Sequence, residues 1–469
     1  MTNIYTYIKK LYTYFKIAIK GSETEFTSGS INKAIFLLSV PMILEMVMES
    51  LFAVVDVFWV AQVSTDAIAT VGLTESVMMM VYSIAIGMSM AATAMVARRI
   101  GEKNPKGAGH AAFQSMLIAF VISIFISVFG IYYAKDILVL MGGSEELIEN
   151  GYGYTQWMLG SNLCIMFLFL INGIFRGAGD ASMAMRSLWL ANGLNIILDP
   201  IFIFGFGTFI PAFGVEGAAI ATTIGRSTGV LFQLYGLFNG KRIIKLTLEN
   251  VRVRMDTIKK IFNIALGGMG QFLIESASWI FLVRIISEFG SPALAGYTIA
   301  FRIIVFTILP SWGMANAAAA LVGQNLGAKK PERAEESVWK TAHLNTAFLG
   351  FVSVVFFIWA KFFVGLFTLD SAVLDYGVLA LRIICVGYIT FAYGMVISQA
   401  FNGAGDTKTP TYMNIVFFWL IQIPLAYLLA FYFEMGFVGA MISVAVAFAL
   451  HAMACIYLFR KGNWKLIKL

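Results

Sequence analysis

The stretch PMILEMVMESLFAVVDVFWV, residues 41–60, decides how the rest of the chain is interpreted. It is long and apolar enough to enter a membrane as a helix, yet it carries Glu45, Glu49 and Asp56. At about 100° per residue, these three acids fall on one stripe of a helix. Because an acid in a membrane helix is costly, it normally faces a partner or a water-filled cavity. The stretch therefore predicts a membrane helix that lines a polar interior path.

The composition of the whole chain is that of a polytopic membrane protein. Of its 469 residues, 59% are hydrophobic and 13% are charged, whereas a soluble domain carries about 25% charged residues. The apolar pattern is helical and lacks the alternation of a membrane β-barrel. The three cysteines and three histidines are scattered, which argues against a disulfide framework and a transition-metal site. The net charge of +7 is explained by where the basic residues lie, so we expect no nucleic-acid partner.

Twelve apolar segments follow one another along the chain. Their predicted bounds are 32–60, 67–97, 111–133, 153–174, 182–205, 212–238, 258–287, 293–322, 341–366, 374–401, 410–432 and 436–459. With the N-terminus placed in the cytoplasm, 27 of the 33 lysines and arginines fall in cytoplasmic segments, and two fall on the opposite side. Cytoplasmic loops of membrane proteins carry such an excess. We therefore predict an all-α, multi-pass protein of the cell (inner) membrane with both termini in the cytoplasm.

A basic, polar stretch in the middle of the chain separates the spans into two groups of six. The predicted parts are a cytoplasmic amphipathic N-terminal segment (1–31), an N-lobe with helices 1–6 (32–238), a cytoplasmic linker (239–257), a C-lobe with helices 7–12 (258–459) and a basic cytoplasmic tail (460–469). The N-terminal segment suits a position at the membrane interface, although a disordered basic tail is a nearly equal alternative.

The two groups of six are copies of one another. FRGAGD (175–180) and FNGAGD (401–406) lie 226 positions apart, as do VARRIGEKNP (96–105) and VGQNLGAKKP (322–331). Both motif pairs fall in predicted cytoplasmic loops, so the repeat is parallel, with its axis along the membrane normal. Two such bundles that meet at a pseudo-two-fold axis leave a cleft between them, which is the architecture of an alternating-access transporter.

Several motifs carry a family resemblance that covers nearly the whole chain. They are SVPMI (39–43), VVDVFWV (54–60), the turn at 101–105, RGAGD (176–180), NIILDPIFIFG (195–205), GVEGAAIATT (214–223), VGQNLGA (322–328) and NGAGDT (402–407). In these motifs the sequence resembles the multidrug and toxic compound extrusion (MATE) family of secondary transporters, and most closely its DinF-like branch. The resemblance implies the two-lobe, twelve-helix MATE fold and export of organic cations or drugs in exchange for inward Na⁺ or H⁺.

The resemblance also implies a coupling-ion site in the N-lobe. In the DinF-like branch, residues matching Asp56, Asn195 and Asp199 form a cation site, and Thr222 matches a further ligand. The spacing places Asp56 and Asp199 at similar depth in one lobe, where two acids and an amide oxygen suit either a shared proton or Na⁺. Two alternatives remain open: Asp199 precedes Pro200 and could simply end or kink a helix, and Asp56 could be solvated at the membrane interface.

The repeat singles out a second set of residues for the substrate cleft. Glu49 aligns with Glu275, which matches an acidic helix-7 position that binds cations in the NorM-like branch. Asn192 and Gln271 complete the predicted cleft, and Pro41 is the predicted hinge of helix 1. We therefore expect Glu49 and Glu275 to face each other across the cleft and to attract a cationic substrate.

Other parts of the stripe are less decisive. Glu45 aligns with Gln271, and either a structural pairing with an arginine or a functional role fits it. Asp56 aligns with Leu282, so the outer acid is lost in the C-lobe. Phe391 stands where the NorM-like branch has an acid in helix 10, which argues against a full NorM-type ion site.

The alternative function is a flippase of lipid-linked oligosaccharide or another lipidic substrate, which would favour a strongly cationic cavity. No nucleophile or metal cluster suggests an enzyme, and the two-lobe repeat disfavours a passive channel. We expect no cofactor and no metal beyond a coupling Na⁺ at Asp56, Asn195 and Asp199. The expected partners are small organic cations and the lipid bilayer, with the protein as a monomer.

Overall fold

The computed structural model describes residues 2–21, 26–239 and 242–469 of the chain. This described part is helical, apart from turns, short connections and one isolated β-bridge between Phe206 and Ile210. The α-helices in chain order are α1 Thr2–Lys20, α2 Ile31–Val60, α3 Thr65–Gly101, α4 Pro105–Leu140, α5 Glu145–Gly160, α6 Asn162–Gly177, α7 Ala181–Phe204, α8 Val215–Phe238, α9 Met255–Ser287, α10 Ser291–Gly327, α11 Pro331–Gly365, α12 Ser371–Val386, α13 Tyr388–Ala404, α14 Lys408–Asn414, α15 Ile423–Tyr427 and α16 Gly436–Arg460. The segments Ile415–Gln422 and Leu428–Tyr432, on either side of α15, are π-helical.

Each of the twelve apolar segments predicted from the sequence forms a helix or a broken helix. The fourth is divided into α5 and α6, and the tenth into α12 and α13, which meet at an angle of 55°. Within the described ranges, ten helices are long and apolar enough to cross a membrane, or eleven when the bent pair counts as one span. The remaining segment, α8, has 24 residues, which suffice to span, but it carries Glu216 and Arg226. The predicted all-α fold with two six-helix bundles is confirmed.

The internal repeat is visible in the backbone as well as in the sequence. Non-helical dihedral angles interrupt α4 at Tyr133 and α11 at Trp359, which are 226 positions apart. Left-handed conformations occur at Lys103, with φ 56°, and at Lys329, with φ 58°, at the same offset. Because such φ values are uncommon for residues other than glycine, their recurrence indicates that both lobes use the same turn geometry.

The two lobes touch through backbone atoms of α3 and α10. A Cβ atom at Gly101 would lie 1.9 Å from the backbone oxygen of Gln324, and one at Gly327 would lie 2.1 Å from that of Arg98. Since 98 and 324 are also 226 apart, the contact is pseudo-two-fold symmetric. The Gln324 side chain reinforces it by donating to the backbone oxygen of Gly177 at 3.0 Å. We call this contact, formed by residues 98–101 and 324–327, the glycine contact.

The glycine contact lies at the end of the molecule that carries the linker, which we call the linker end. Both terminal segments pack there. Arg186 donates to the backbone oxygens of Ile19 and Lys20, each at 2.8 Å, and so satisfies the C-terminus of α1. Arg98 donates to the backbone oxygen of Ile467 at 3.0 Å, which ties residues 462–469, beyond α16, to the N-lobe. The interfacial location of the N-terminal segment stays a prediction.

The predicted boundaries of the lobes, linker and tail also stay predictions. Residues 22–25 of the N-terminal segment and residues 240–241 of the linker lie outside the described residues. The described remainder of the linker packs on α4: Gln114 donates to the backbone oxygen of Arg252 at 2.5 Å, and Asn250 donates to that of Lys106 at 3.2 Å.

Replacing Gly101 with alanine tests the glycine contact. We expect Gly101→Ala to lower the midpoint of thermal unfolding, because the new methyl group must displace backbone atoms of α10. Overpacking of this kind costs about 1–3 kcal/mol. The matched control is Gly72→Ala in the same helix, where a Cβ meets no atom within 4 Å. An equal loss of stability in both variants, measured on purified protein in detergent, would contradict the interpretation.

Candidate functional site

The N-lobe site depends on a close approach of α7 and α8. Glycines on one face of α8 make this possible: a Cβ at Gly217 would lie 2.4 Å from the backbone oxygen of Phe202, and one at Gly225 would lie 2.5 Å from that of Ala191. Small residues at such spacing let helices pack backbone to backbone in a membrane. Side chains of α8 that flank this face are therefore pressed against the polar face of α7.

The polar face of α7 carries two of the predicted coupling-site residues, Asn195 and Asp199, and both are buried. Asn195 donates from Nδ2 to Oγ1 of Thr222 at 2.9 Å, and Asn195 and Asp199 are 1% and 0% exposed. The Asn195 side chain also lies close enough to Asp199 to interact with it. Even so, Asn195 Oδ1 and both Asp199 oxygens lack a well-formed hydrogen bond within the part of the chain that the structure describes. Asp199 does not end the helix, because α7 continues past Pro200 to Phe204.

Asp56 lies on the neighbouring helix α2, inside the lobe. It is buried and interacts electrostatically with Asp199, as well as with Glu75 and Arg226. The structure therefore brings together the two acids that the sequence placed at similar depth. Tyr154 of α5, which the sequence argument missed, is also buried and interacts with both acids. Because Asp56 is buried, its carboxylate is not solvated at the membrane interface.

Arg226 is a buried cation that the sequence argument left without a role. Its Nη2 lies 3.8 Å from Oε1 of Glu49, and its guanidinium stands over the rings of Phe52 and Tyr82, with 5.5 and 5.8 Å to the ring centroids. Asn192 donates to the other oxygen of Glu49 at 2.9 Å. Arg226 follows Thr222 by four residues, so the helical spacing alone was a signal that both face the same neighbours.

Glu45 belongs to a separate buried network. Its Oε1 accepts a hydrogen bond from Asn172 at 2.9 Å and lies 3.5 Å from Nη1 of Arg176. The repeat offset carries this pair onto Gln271 and Asn402, which are joined by a hydrogen bond of 3.1 Å. An ion pair in the N-lobe is thus replaced by an amide pair in the C-lobe.

Pro41, the predicted hinge, lies inside an unbroken α2. The backbone beside it touches the other lobe, because a Cβ at Gly313 of α10 would lie 2.6 Å from the backbone oxygen of Met42. A bend at Pro41 would therefore disturb a contact between lobes. The hinge role stays a prediction.

Two adjoining cavities lie between and inside the lobes. The first, about 320 Å³, lies between the lobes; its polar lining includes Glu49, Glu75, Tyr82, Arg176, Asn316 and Gln399. The second, about 260 Å³, lies mainly in the C-lobe; its lining includes Gln271, Glu275, Trp279, Phe391, Phe418 and His451.

The predicted cleft residues fall in these two cavities or beside them. Glu49 lines the first cavity, with Asn192 behind it, whereas Gln271 and Glu275 line the second. Glu49 and Glu275 thus line adjoining spaces. Glu75 of α3, which the sequence argument missed, also lines the first cavity; no second acid lies on its helix face to signal it. The described residues contain no group of three or more His, Cys, Asp or Glu that could hold a metal ion.

Comparison with known proteins identifies the family. The MatE family model matches residues 41–201 and 269–428, one block in each lobe. The chain belongs to the MatE family. It is accordingly a multi-pass membrane transporter and not an enzyme.

Individual relatives agree over nearly the full length. The probable multidrug resistance protein NorM of Thermotoga maritima is 26% identical over 457 residues, which cover 97% of each chain. The crystal structure of MATE in complex with MaL6 is 28% identical, with a TM-score of 0.89, over 94% of this chain and 99% of that one. A MOP superfamily transporter from Pyrococcus furiosus Vc1, described as having a binding pocket of reverse polarity, is 28% identical, with a TM-score of 0.88, over 95% of this chain and 98% of that one.

The Arg226–Glu49 pair allows a test by double substitution. We expect Arg226→Gln to lower the free energy of unfolding by on the order of 2–3 kcal/mol, because it leaves Glu49, whose side chain is 22% exposed, without its cation. The double variant Arg226→Gln, Glu49→Gln should recover part of this loss. The control pair is Arg284 and Glu288, whose side chains are 78% and 52% exposed; it should show no measurable coupling. Purely additive effects at Arg226 and Glu49 would refute the pairing.

Proposed function

We propose that this protein is a secondary active antiporter that exports organic cations or drugs in exchange for inward Na⁺ or H⁺. The observation that carries the proposal is the set of buried oxygens of Asn195 and Asp199 that lack well-formed hydrogen bonds, beside Asp56. Buried acceptors without donors are rare in folded proteins, and an unseen proton, water or cation normally satisfies them. Two adjoining carboxylates with amide and hydroxyl oxygens offer hard ligands for Na⁺ or a shared position for a proton.

The electrostatic link between the two sites supports antiport. We call Asp56, Asn195, Asp199 and Thr222 the enclosed cluster. Asp56 of this cluster and Glu75 at the first cavity repel each other. When a proton or Na⁺ neutralises the enclosed cluster, a cation at Glu75 loses part of its attraction, so the ion and the substrate oppose each other's binding. Such a coupling drives transport only through different affinities for the two conformations. Bending of α2 at Pro41 would convert the change of charge into movement against the other lobe.

The charge of the cavities supports a cationic substrate. Glu49, Glu75 and Glu275 line the two cavities, against Arg176 as the lining cation. Because a relative with this fold has a pocket of reverse polarity, the charges of this chain's own cavities decide the substrate class. The name of the Thermotoga maritima relative, a probable multidrug resistance protein, agrees with drug export. A flippase of lipid-linked oligosaccharide, which needs a cationic cavity, ranks second.

Three further assignments belong to the proposal. The excess of lysine and arginine at the linker end favours a cytoplasmic location for that end and for both termini. Membership of the DinF-like branch rests on Asp56, Asn195 and Asp199. The protein is expected to work as a monomer without a cofactor, since each chain contains both lobes.

Efflux from proteoliposomes tests the proposed function. The purified protein is reconstituted, the vesicles are loaded with ethidium, and Na⁺ and pH gradients are imposed separately. We expect one of the gradients to drive ethidium transport against its concentration difference. Asp56→Asn and Asp199→Asn should abolish this uphill transport, because each removes a charge on which ion binding depends.

The matched control is Glu149→Gln, the same kind of change at an exposed residue of α5, which should transport normally. Uphill transport that is unchanged in Asp56→Asn would refute coupling by the enclosed cluster. Ethidium transport absent under both gradients, together with translocation of a labelled polyprenyl pyrophosphate lipid, would favour the flippase.

A further inference from the structure

The three acids of the two cavities are not equivalent. The charge of Glu49 is balanced within the protein, because Asn192 donates to one oxygen at 2.9 Å and Arg226 lies 3.8 Å from the other. Arg226 is in turn held in place by the rings of Phe52 and Tyr82. A substrate cation at Glu49 would therefore compete with a cation that is already fixed there.

Glu75 and Glu275 are in the opposite situation. Neither side chain forms an ion pair or a hydrogen bond with any residue within 2–21, 26–239 and 242–469, yet each lines a cavity. Glu75 is exposed to the first cavity from α3, and Glu275 is half-buried at the second from α9. A carboxylate in an apolar surrounding without a protein partner is a strong attractor for a cation brought by a ligand.

The two cavities share a wall that is apolar and aromatic. Met90, Phe272, Leu309 and Trp312 line both cavities, with Gln399 as the polar member of the shared wall. Flat aromatic faces attract cations and pack against hydrocarbon chains, and a thioether adapts to different shapes. A ligand that lies along this wall would meet an unpaired carboxylate in each cavity, Glu75 in the first and Glu275 in the second, with an apolar surface between them.

We propose that Glu75, rather than Glu49, is the substrate-docking carboxylate of the N-lobe, and that with Glu275 it selects organic dications whose charged groups are separated by an apolar spacer. The inference rests on the proposed function and narrows its substrate class. Each lobe contributes one acid to the binding site, so a bound dication contacts both lobes at once. A monocation pairs with one acid and leaves the other acid without a cation.

Binding measurements on the purified protein test the inference. The probes are bis(trimethylammonium) alkanes with four to twelve methylene groups and the monocation decyltrimethylammonium, titrated by calorimetry in detergent. We expect affinity to rise with spacer length to an optimum, at which the dication binds at least about tenfold more tightly than the monocation, or about 1.4 kcal/mol. Glu75→Gln and Glu275→Gln should each remove that preference.

Two further variants locate the N-lobe acid. Glu49→Gln should change dication affinity by less than about threefold, because Glu49 is already paired with Arg226. This change is well below the roughly tenfold preference for the dication over the monocation. Glu75→Asp should keep the preference, since it keeps the charge, and so separates a lost carboxylate from a misfolded variant. Glu149→Gln on the exposed surface of α5 serves as the control for the same chemical change.

The outcomes separate this inference from the proposed function. Dications that bind no more tightly than the monocation at any spacer length, or a Glu49→Gln variant that loses as much as Glu75→Gln, would overturn the inference. If the wild-type protein still drives ethidium efflux in that case, the antiport proposal stands alone. If ethidium efflux fails under both gradients, the antiport proposal itself fails, whatever the dications do.

Discussion

The contact between Gly101 and Gln324, with its two-fold-related counterpart between Gly327 and Arg98, is the constraint on which the rest of the structure depends. It sets the backbones of α3 and α10 against each other at the linker end. From α3 project Glu75, Tyr82 and Ser89 of the first cavity, and from α10 projects Trp312. The relative position of these side chains therefore follows from a contact that only glycine permits, because a methyl group at either place would meet backbone atoms.

The two lobes share a backbone but divide the chemistry. Three polar residues of the N-lobe cluster, Asp56, Thr222 and Arg226, correspond to the apolar residues Leu282, Val444 and Phe448 in the C-lobe. The offset is 226 between α2 and α9, and 222 between α8 and α16, where Gly214 and Gly217 match Gly436 and Gly439. The N-lobe thus encloses charge, whereas the C-lobe offers an aromatic wall around one acid. The buried acids Asp56 and Asp199 therefore have no acidic counterpart in the C-lobe.

The sequence predicted much of this arrangement because the signals were local or repeated. Helical length and apolarity located the twelve segments, and the motif offset located the symmetry. The sequence positions of Asp56 and Asp199 indicated their similar depth in one lobe. Glu75 was harder to predict, because it reaches the first cavity through helix packing and no second acid lies on its helix face. The spacing of Arg226 from Thr222 indicates their common face of α8, but it does not indicate which acid Arg226 meets. The pairing of Glu49 with Arg226 depends on how α2 meets α8, which sequence spacing within either helix does not contain.

The symmetry of the glycine contact has a consequence for how such a chain can change. A contact in which residue 101 meets 324 while 327 meets 98 is the one that two identical subunits make across a two-fold axis. It would survive division into two separate copies of one half. Within a single chain, however, a substitution in one half is not copied into the other. The contact therefore requires a glycine in each half, Gly101 and Gly327, whereas the interiors of the two halves can differ, as Asp56 and Leu282 do.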